Sequence, residues 1–148
     1  MNKKLKIVLL LSCMFVLLIS CSKETIKLSF NDDIEYKDGL VYEINKSKPF
    51  SGIAVMYRDD DSIMVEFNYK NGLRHGKSYH YHKEGQLKLT SLYKNGKAEG
   101  VHVQYYESGQ PYQESSYKDG EKHGKFIVFN EDGTIKEETI FENGEEIN

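Results

Sequence analysis

The sequence predicts an all-β protein, an antiparallel meander of β-hairpin repeats forming one elongated twisted sheet. Three observations predict it. A tetrapeptide recurs as Tyr69-Lys70-Asn71-Gly72, Tyr93-Lys94-Asn95-Gly96, Tyr117-Lys118-Asp119-Gly120 and Phe141-Glu142-Asn143-Gly144, each start 24 residues after the last. Glycines keep that step at Gly52, Gly76, Gly100 and Gly124, and again at Gly85, Gly109 and Gly133. Between them apolar side chains recur with period two, the period of a strand. Self-similarity at a fixed interval marks a repeat architecture in which each unit leans on its neighbours.

The N-terminus reads as an address. Asn2 to Lys6 is basic and Ile7 to Ile19 is apolar, which predicts a signal-peptide helix over residues 1–20. The apolar run is short against the roughly 20 residues of a membrane-spanning helix. It ends in Leu18-Ile19-Ser20-Cys21, which resembles a bacterial lipobox, so Cys21 is the expected lipidation site and the first residue of the mature chain. A lipid there would anchor an exported protein to a bacterial membrane, at the periplasmic face or the cell surface.

Removing residues 1–20 takes three lysines and no acids, so the net charge of −3 becomes −6. Cys13 leaves with the signal, and the remaining Cys21 is blocked by lipid. The mature chain therefore has no disulfide and no thiol nucleophile. An acidic surface without a basic cluster argues against nucleic-acid binding. It also argues against recruitment by anionic headgroups, which leaves anchoring to the lipid.

Residues 21–35 are expected to be a tether, with a short strand where Ile26, Leu28 and Phe30 alternate. Residues 36–148 form the repeat domain, with units near 36–68, 69–92, 93–116 and 117–140 and a half unit at 141–148. The first unit is irregular. Tyr36 stands 33 residues before Tyr69, and the surplus falls between Gly39 and Gly52. Terminal repeats are commonly atypical because they close an open end.

In the regular units, odd positions carry the apolar residues. These are Val55, Tyr79, Val103 and Ile127, then Tyr57, Tyr81, Tyr105 and Phe129, and on the second strand Ile63, Leu87 and Ile135, with Pro111 the exception. Pairing Tyr81 with Leu87 and Tyr79 with Leu89 also sets Tyr57 on Ile63 and Phe129 on Ile135. Such cross-strand pairs contribute about 0.2–1 kcal/mol each. Asn-Gly and Asp-Gly predict two-residue turns, and Gly85, Gly109 and Gly133 predict three-residue loops. A strict turn at Asn71-Gly72 pairs Tyr69 with Arg74 and sets odd against even. One bulge per repeat at Gly76 and its equivalents would restore the faces, which leaves register open by one residue.

The segments Tyr69 to Gly76 and Tyr117 to Gly124, each with the tetrapeptide followed by x-x-His-Gly, resemble the MORN repeat variant of bacterial proteins. The larger family they resemble is the YwqK-type toxin–antitoxin antitoxin group. Unit three departs from the pattern with Glu99 in place of histidine. The resemblance spans about Tyr36 to Gly144 and implies a MORN-like hairpin sheet with a binding role. Some eukaryotic MORN proteins are phosphoinositide kinases. That activity is excluded here, because the chain has no phosphate-cradling G-x-x-x-x-G-K-[ST] and no H-R-D or D-F-G set.

Candidate chemistry is sparse. His80 and His82 share a strand face, and His102 joins them by parity, but a solvated polar face explains them better than a metal, since a structural zinc wants four ligands. His75 and His123 recur at a turn, which points to turn structure. Asp59-Asp60-Asp61 lacks the calcium-loop spacing and reads as an acidic turn. Ser115 and Ser116 have no base at a nucleophile's spacing. No catalytic residue, metal ligand or cofactor site is expected, and a carbohydrate- or lipid-modifying enzyme has no constellation to support it.

The tyrosines are the stronger lead: 11 in 148 residues, with no tryptophan. Tyr57, Tyr79, Tyr81, Tyr105 and Phe129 form the candidate binding face, against the alternative that they serve only repeat-to-repeat packing. The sequence thus points to a non-catalytic membrane-anchored lipoprotein that binds a protein or envelope polymer. An antitoxin or immunity protein acting at the cell envelope is the alternative.

Overall fold

The computed structural model describes residues 27–30 and 32–147. Cys21 and the expected signal helix lie outside them. The described residues contain strands and turns and no helix. The strands are β1 (Lys27–Ser29), β2 (Ile34–Lys37), β3 (Leu40–Glu43), β4 (Gly52–Tyr57), β5 (Ile63–Lys70), β6 (Leu73–Tyr81) and β7 (Leu87–Lys94). They continue with β8 (Lys97–Ala98), β9 (Gly100–Tyr105), β10 (Pro111–Lys118), β11 (Glu121–Phe129), β12 (Ile135–Glu142) and β13 (Glu145–Ile147).

From β4 onward, neighbours in sequence are neighbours in the sheet, ending at β12 and β13, with β8 beside β7. Two features depart from a simple antiparallel meander. The first strand, β1, pairs with β4 in parallel, Leu28 opposite Ala54, so the large sheet is mixed. The Tyr36-Lys37-Asp38-Gly39 hairpin forms a separate two-stranded sheet, β2–β3, and does not open a first unit of the main sheet. Backbone bonds stitch it to that sheet. Val41 N donates to Gly72 O at 3.0 Å and Phe50 N to Val41 O at 2.8 Å.

The reason for this detour is the core. Val41, Phe50, Ala54, Val65, Phe67 and Tyr69 form the buried cluster, with Leu28, Phe30, Ile34, Met56 and Met64 packed around it. All lie at the N-terminal end. One face of a single sheet stays wet unless something covers it, and the surplus residues before Gly52 cover the first unit.

Each turn at the tetrapeptide has two residues with positive φ, such as Asn71 at 51° and Gly72 at 78°. This is the hairpin geometry that matches strand twist, and asparagine and glycine adopt it at least cost. Tyr69 pairs with Arg74 and Lys70 with Leu73, as a strict two-residue turn requires. The bulge at Gly76 is present, but it differs in size from the expected one. Phe67 faces Ser78 while Tyr69 faces Arg74, so β6 gains two residues and parity is unchanged. Odd residues of β5 therefore share a face with even residues of β6.

A second irregularity sits at the other end of the hairpins. Tyr81 pairs with Leu87, but His80 pairs with Leu89 and Tyr79 with Thr90. The expected Tyr79–Leu89 pair is thus off by one, because a residue bulges beside each three-residue loop. The same shift falls between Met56 and Tyr57 and between Val128 and Phe129.

Three ladders join unit to unit. Turn glycines donate N–H to carbonyls of the preceding unit: Gly72 to Phe50, Gly96 to Arg74, Gly120 to Ala98 and Gly144 to Lys122, at 2.8–2.9 Å. The turn residue before each glycine is held by a side chain 20 residues earlier, Asn71 N by Ser51 Oγ at 2.8 Å, Asn95 N by His75 Nδ1 at 3.4 Å and Asp119 N by Glu99 Oε2 at 3.2 Å. His123 holds the same place in the fourth unit, with its Nδ1 buried and unpartnered. At the far loops, His82 Nε2 lies 3.2 Å from Tyr105 O and Tyr106 Oη donates to Phe129 O at 2.8 Å. Arg58 makes the equivalent bond to Tyr81 O.

Candidate binding face

The register sorts the side chains onto two faces with different jobs. On the core face stand Tyr69, Tyr93, Tyr117 and Phe141, the first residues of the four tetrapeptides. Arg74 places its guanidinium carbon 4.0 Å from the Phe67 ring centre and 5.4 Å from that of Tyr93. Lys122 spans Phe126 and Phe141 in the same way, at 4.7 and 4.6 Å. Unit three has Ala98 at this position, and His102 fills the gap. Its ring centre lies 5.6 Å from Tyr93 and 4.5 Å from Tyr117. Between the rings Ser78, Ser91 and Ser115 are buried, small enough to let the flanking rings close over them. Cation–ring and ring–ring contacts are therefore the cement of this face.

The opposite, outer face carries Tyr57, Tyr79, Tyr81, Tyr105 and Phe129. Four of them head the pairs Tyr57–Ile63, Tyr81–Leu87, Tyr105–Pro111 and Phe129–Ile135. Together these eight residues make an apolar row running from β4 to β12 beside the loops. With strands about 4.8 Å apart, its rings recur at roughly 9.6 Å. Tyr79 lies one row further in, between Glu66 and Thr90. That second row alternates apolar and polar residues, running Val55, Glu66, Tyr79, Thr90, Val103, Glu114, Ile127 and Glu138.

Much of the outer face is open. Ile135 is 56% exposed, Val101 52% and Tyr57 44%. A shallow hollow of about 380 Å³ lies at its middle, lined by Lys77, Tyr79, Leu87, Leu92, Val101 and Tyr105. The same face carries two ion pairs, Lys27–Glu66 at 3.1 Å and Lys125–Glu138 at 2.7 Å. Tyr81 Oη donates to Glu66 Oε2 at 3.3 Å. Burial and the adjacent Glu66 carboxylate push the Tyr81 phenol above its ordinary value.

Sequence reasoning named the rings but missed Val101, Leu92 and Ile140, which widen the apolar surface. It also missed the carboxylate row, whose signal was available: Glu66, Glu114 and Glu138 fall on the 24-residue grid.

The histidines part company. His80 and His102 sit on the core face, where His80 meets the Phe67 ring edge-on at 5.6 Å and His102 Nε2 lies 2.9 Å from Leu92 O. His82 lies past the strand end on its carbonyl ladder. Among the described residues no three His, Cys, Asp or Glu side chains gather as a metal site. Asp60 Oδ1 accepts from both the N–H and the hydroxyl of Ser62, as Asp132 does from Thr134, so both aspartates are turn braces. Those bonds hold both carboxyls below their ordinary value. Among the described residues no helix is long and apolar enough to cross a membrane.

This geometry defines a class, a single-layer β-hairpin repeat protein with one cemented face and one open one. Comparison with known families agrees, since the MORN repeat variant matches the chain three times, at residues 74–95, 98–119 and 122–143. Residues 50–71 occupy the equivalent structural place one step earlier, outside those matches, with Phe50, Ser51 and Asp61 where the later units have Arg74, His75 and Gly85. No curated protein and no solved structure matches the chain.

Proposed function

We propose that this chain is a non-catalytic binding module, exported and held to a bacterial membrane by a lipid on Cys21, which offers its outer face to a protein or envelope polymer. The observation that carries the reading is the apolar row of four rings and four aliphatic side chains, running across the large sheet from β4 to β12 with no element laid over it among the described residues. Large apolar stretches left open and rimmed by polar residues mark interaction sites. MORN repeats are typically binding modules, which supports the same conclusion.

The test compares the full chain with Tyr57→Ser and Tyr105→Ser variants in capturing envelope components. Loss of one defined partner by both variants, with melting unchanged, supports the reading, and undiminished capture sinks it. The anchor is tested separately by labelling cells with palmitate. Label is expected on the wild-type chain and absent from Cys21→Ser. The resemblance to YwqK-type antitoxins favours a second reading, protection from a toxin acting at the envelope. It requires that the captured partner be harmful to cells lacking this chain.

A further inference from the structure

We infer that the occupant of the outer face is an extended, uncharged β-linked glycan strand. The inference rests on the binding reading above and narrows it to one chemistry.

The first argument is spacing. The rings of Tyr57, Tyr81, Tyr105 and Phe129 recur every two strands, at roughly 9.6 Å. In a β1,4-linked glycan each sugar is flipped relative to the last, so the same C–H face returns at every second sugar, about one such step. An extended peptide strand returns the same face every two residues, roughly 6.8 Å, and falls out of phase within one repeat. A left-handed proline helix returns after about 9.3 Å, which is close, but it sinks its prolines into clefts between aromatic ridges. Here Ile63, Leu87, Pro111 and Ile135 fill the intervals between rings, where such a helix would need clefts.

The second argument is chemistry. A tyrosine ring offers its negative face to the weakly positive C–H groups of a pyranose and keeps its hydroxyl for a hydrogen bond. The neighbouring row supplies acceptors on the same grid, Glu66, Glu114 and Glu138, with the Thr90 hydroxyl between them. Glu114 has no side-chain partner among the described residues, so its carboxylate is free to accept from sugar hydroxyls. Lys27 and Lys125 neutralise Glu66 and Glu138 in ion pairs, and Lys77 in the hollow offsets Glu114, so these groups sum to no net charge and give a charged polymer no pull. The central hollow beside Tyr79 and Tyr105 gives room for a substituent on one sugar edge.

The experiment uses the full-length chain in a detergent that is not a glycoside, reading tyrosine fluorescence and heat of binding. Ligands are β1,4-linked glucose and N-acetylglucosamine oligomers, α-linked maltohexaose and a proline-rich peptide. Affinity is expected to rise with β-linked chain length and to level off near about seven sugars, the reach from first ring to fourth. Tyr81→Leu and Tyr105→Leu keep the row apolar but remove the stacking ring. Each should weaken binding about fivefold without changing the melting temperature. The inference is overturned by no β-linked binding, by equal binding of maltohexaose, or by leucine variants that bind as tightly as wild type. Binding of the proline-rich peptide alone would also overturn it, while leaving the outer face as the binding face. If the serine variants above still capture every partner, the broader reading has failed instead.

Discussion

At the scale of single residues, the repeats show which identities matter and which are interchangeable. The side chain before each strand glycine is Ser51, His75, Glu99 or His123, and in the first three units its common feature is an acceptor for the next turn's N–H. Histidine therefore recurs here for its ring nitrogen, and no chemistry is needed to explain it. Gly72 and Gly133 both have positive φ, at 78° and 84°. An added Cβ at Gly133 meets nothing within 4 Å, whereas at Gly72 it would lie 2.8 Å from Leu40 Cβ and 3.1 Å from Val41 backbone atoms. Gly133→Ala is expected to cost about 1 kcal/mol, the backbone term alone. Gly72→Ala should cost at least about twice that, because the β2–β3 hairpin must shift, and denaturant titration separates the two. Burial holds His102 below its ordinary 6.5, and burial with the nearby Arg74 and Lys88 charges does the same for His80. The fold thus favours the neutral rings and binds fewer protons than the unfolded chain. Stability is full above the ordinary value and declines as pH falls below 6.5. Melting curves should show that decline, and it should shrink in the double variant His80→Gln, His102→Gln.

At the scale of elements, the hairpin was legible and its registers only partly so. Asn-Gly or Asp-Gly with a flanking tyrosine or phenylalanine announced each tetrapeptide turn, and the pairs Tyr57–Ile63, Tyr81–Leu87 and Phe129–Ile135 stand where alternation put them. The size of the Gly76 bulge was not legible. A glycine licenses an irregular backbone without saying how many residues it absorbs. The parallel pairing of β1 was hidden too, since three residues carry no direction in their composition. For the candidate face, odd-position alternation gathered the five rings. The separation of Tyr69, Tyr93, Tyr117 and Phe141 onto the opposite face depended on knowing the bulge. Removing residues 93–116 joins Leu92 to Tyr117, which repeats the Leu92–Tyr93 junction, and Gly120 inherits the bond that Gly96 made to Arg74. This shortened chain should fold, keep its strand spectrum per residue and melt lower, since one unit and one interface are gone. A chain cut out of phase, lacking 99–110, should not fold cooperatively.

At the scale of the whole molecule, stability is unevenly distributed. The buried cluster and the hairpin that covers it lie at the N-terminal end of the described residues, while β12 and β13 carry mostly exposed side chains. Hydrogen exchange should therefore be slowest in β4 and β5 and fastest in β12 and β13, grading along the sheet. Uniform protection across all strands would contradict this picture. Such a gradient suits a protein whose expected attachment point precedes its firmest part. The fast-exchanging end is then the one furthest along the sheet from the anchor.

The three ladders of turn and loop bonds have a hereditary consequence. Because every joint within a ladder recurs at the same offset, slippage of 72 nucleotides during replication would add or delete a whole unit without changing the offset of any joint. The reach of the aromatic row would then lengthen or shorten in steps of about 9.6 Å. Such a gene could be tuned like a ruler, by counting divisions, with no division needing to be redrawn.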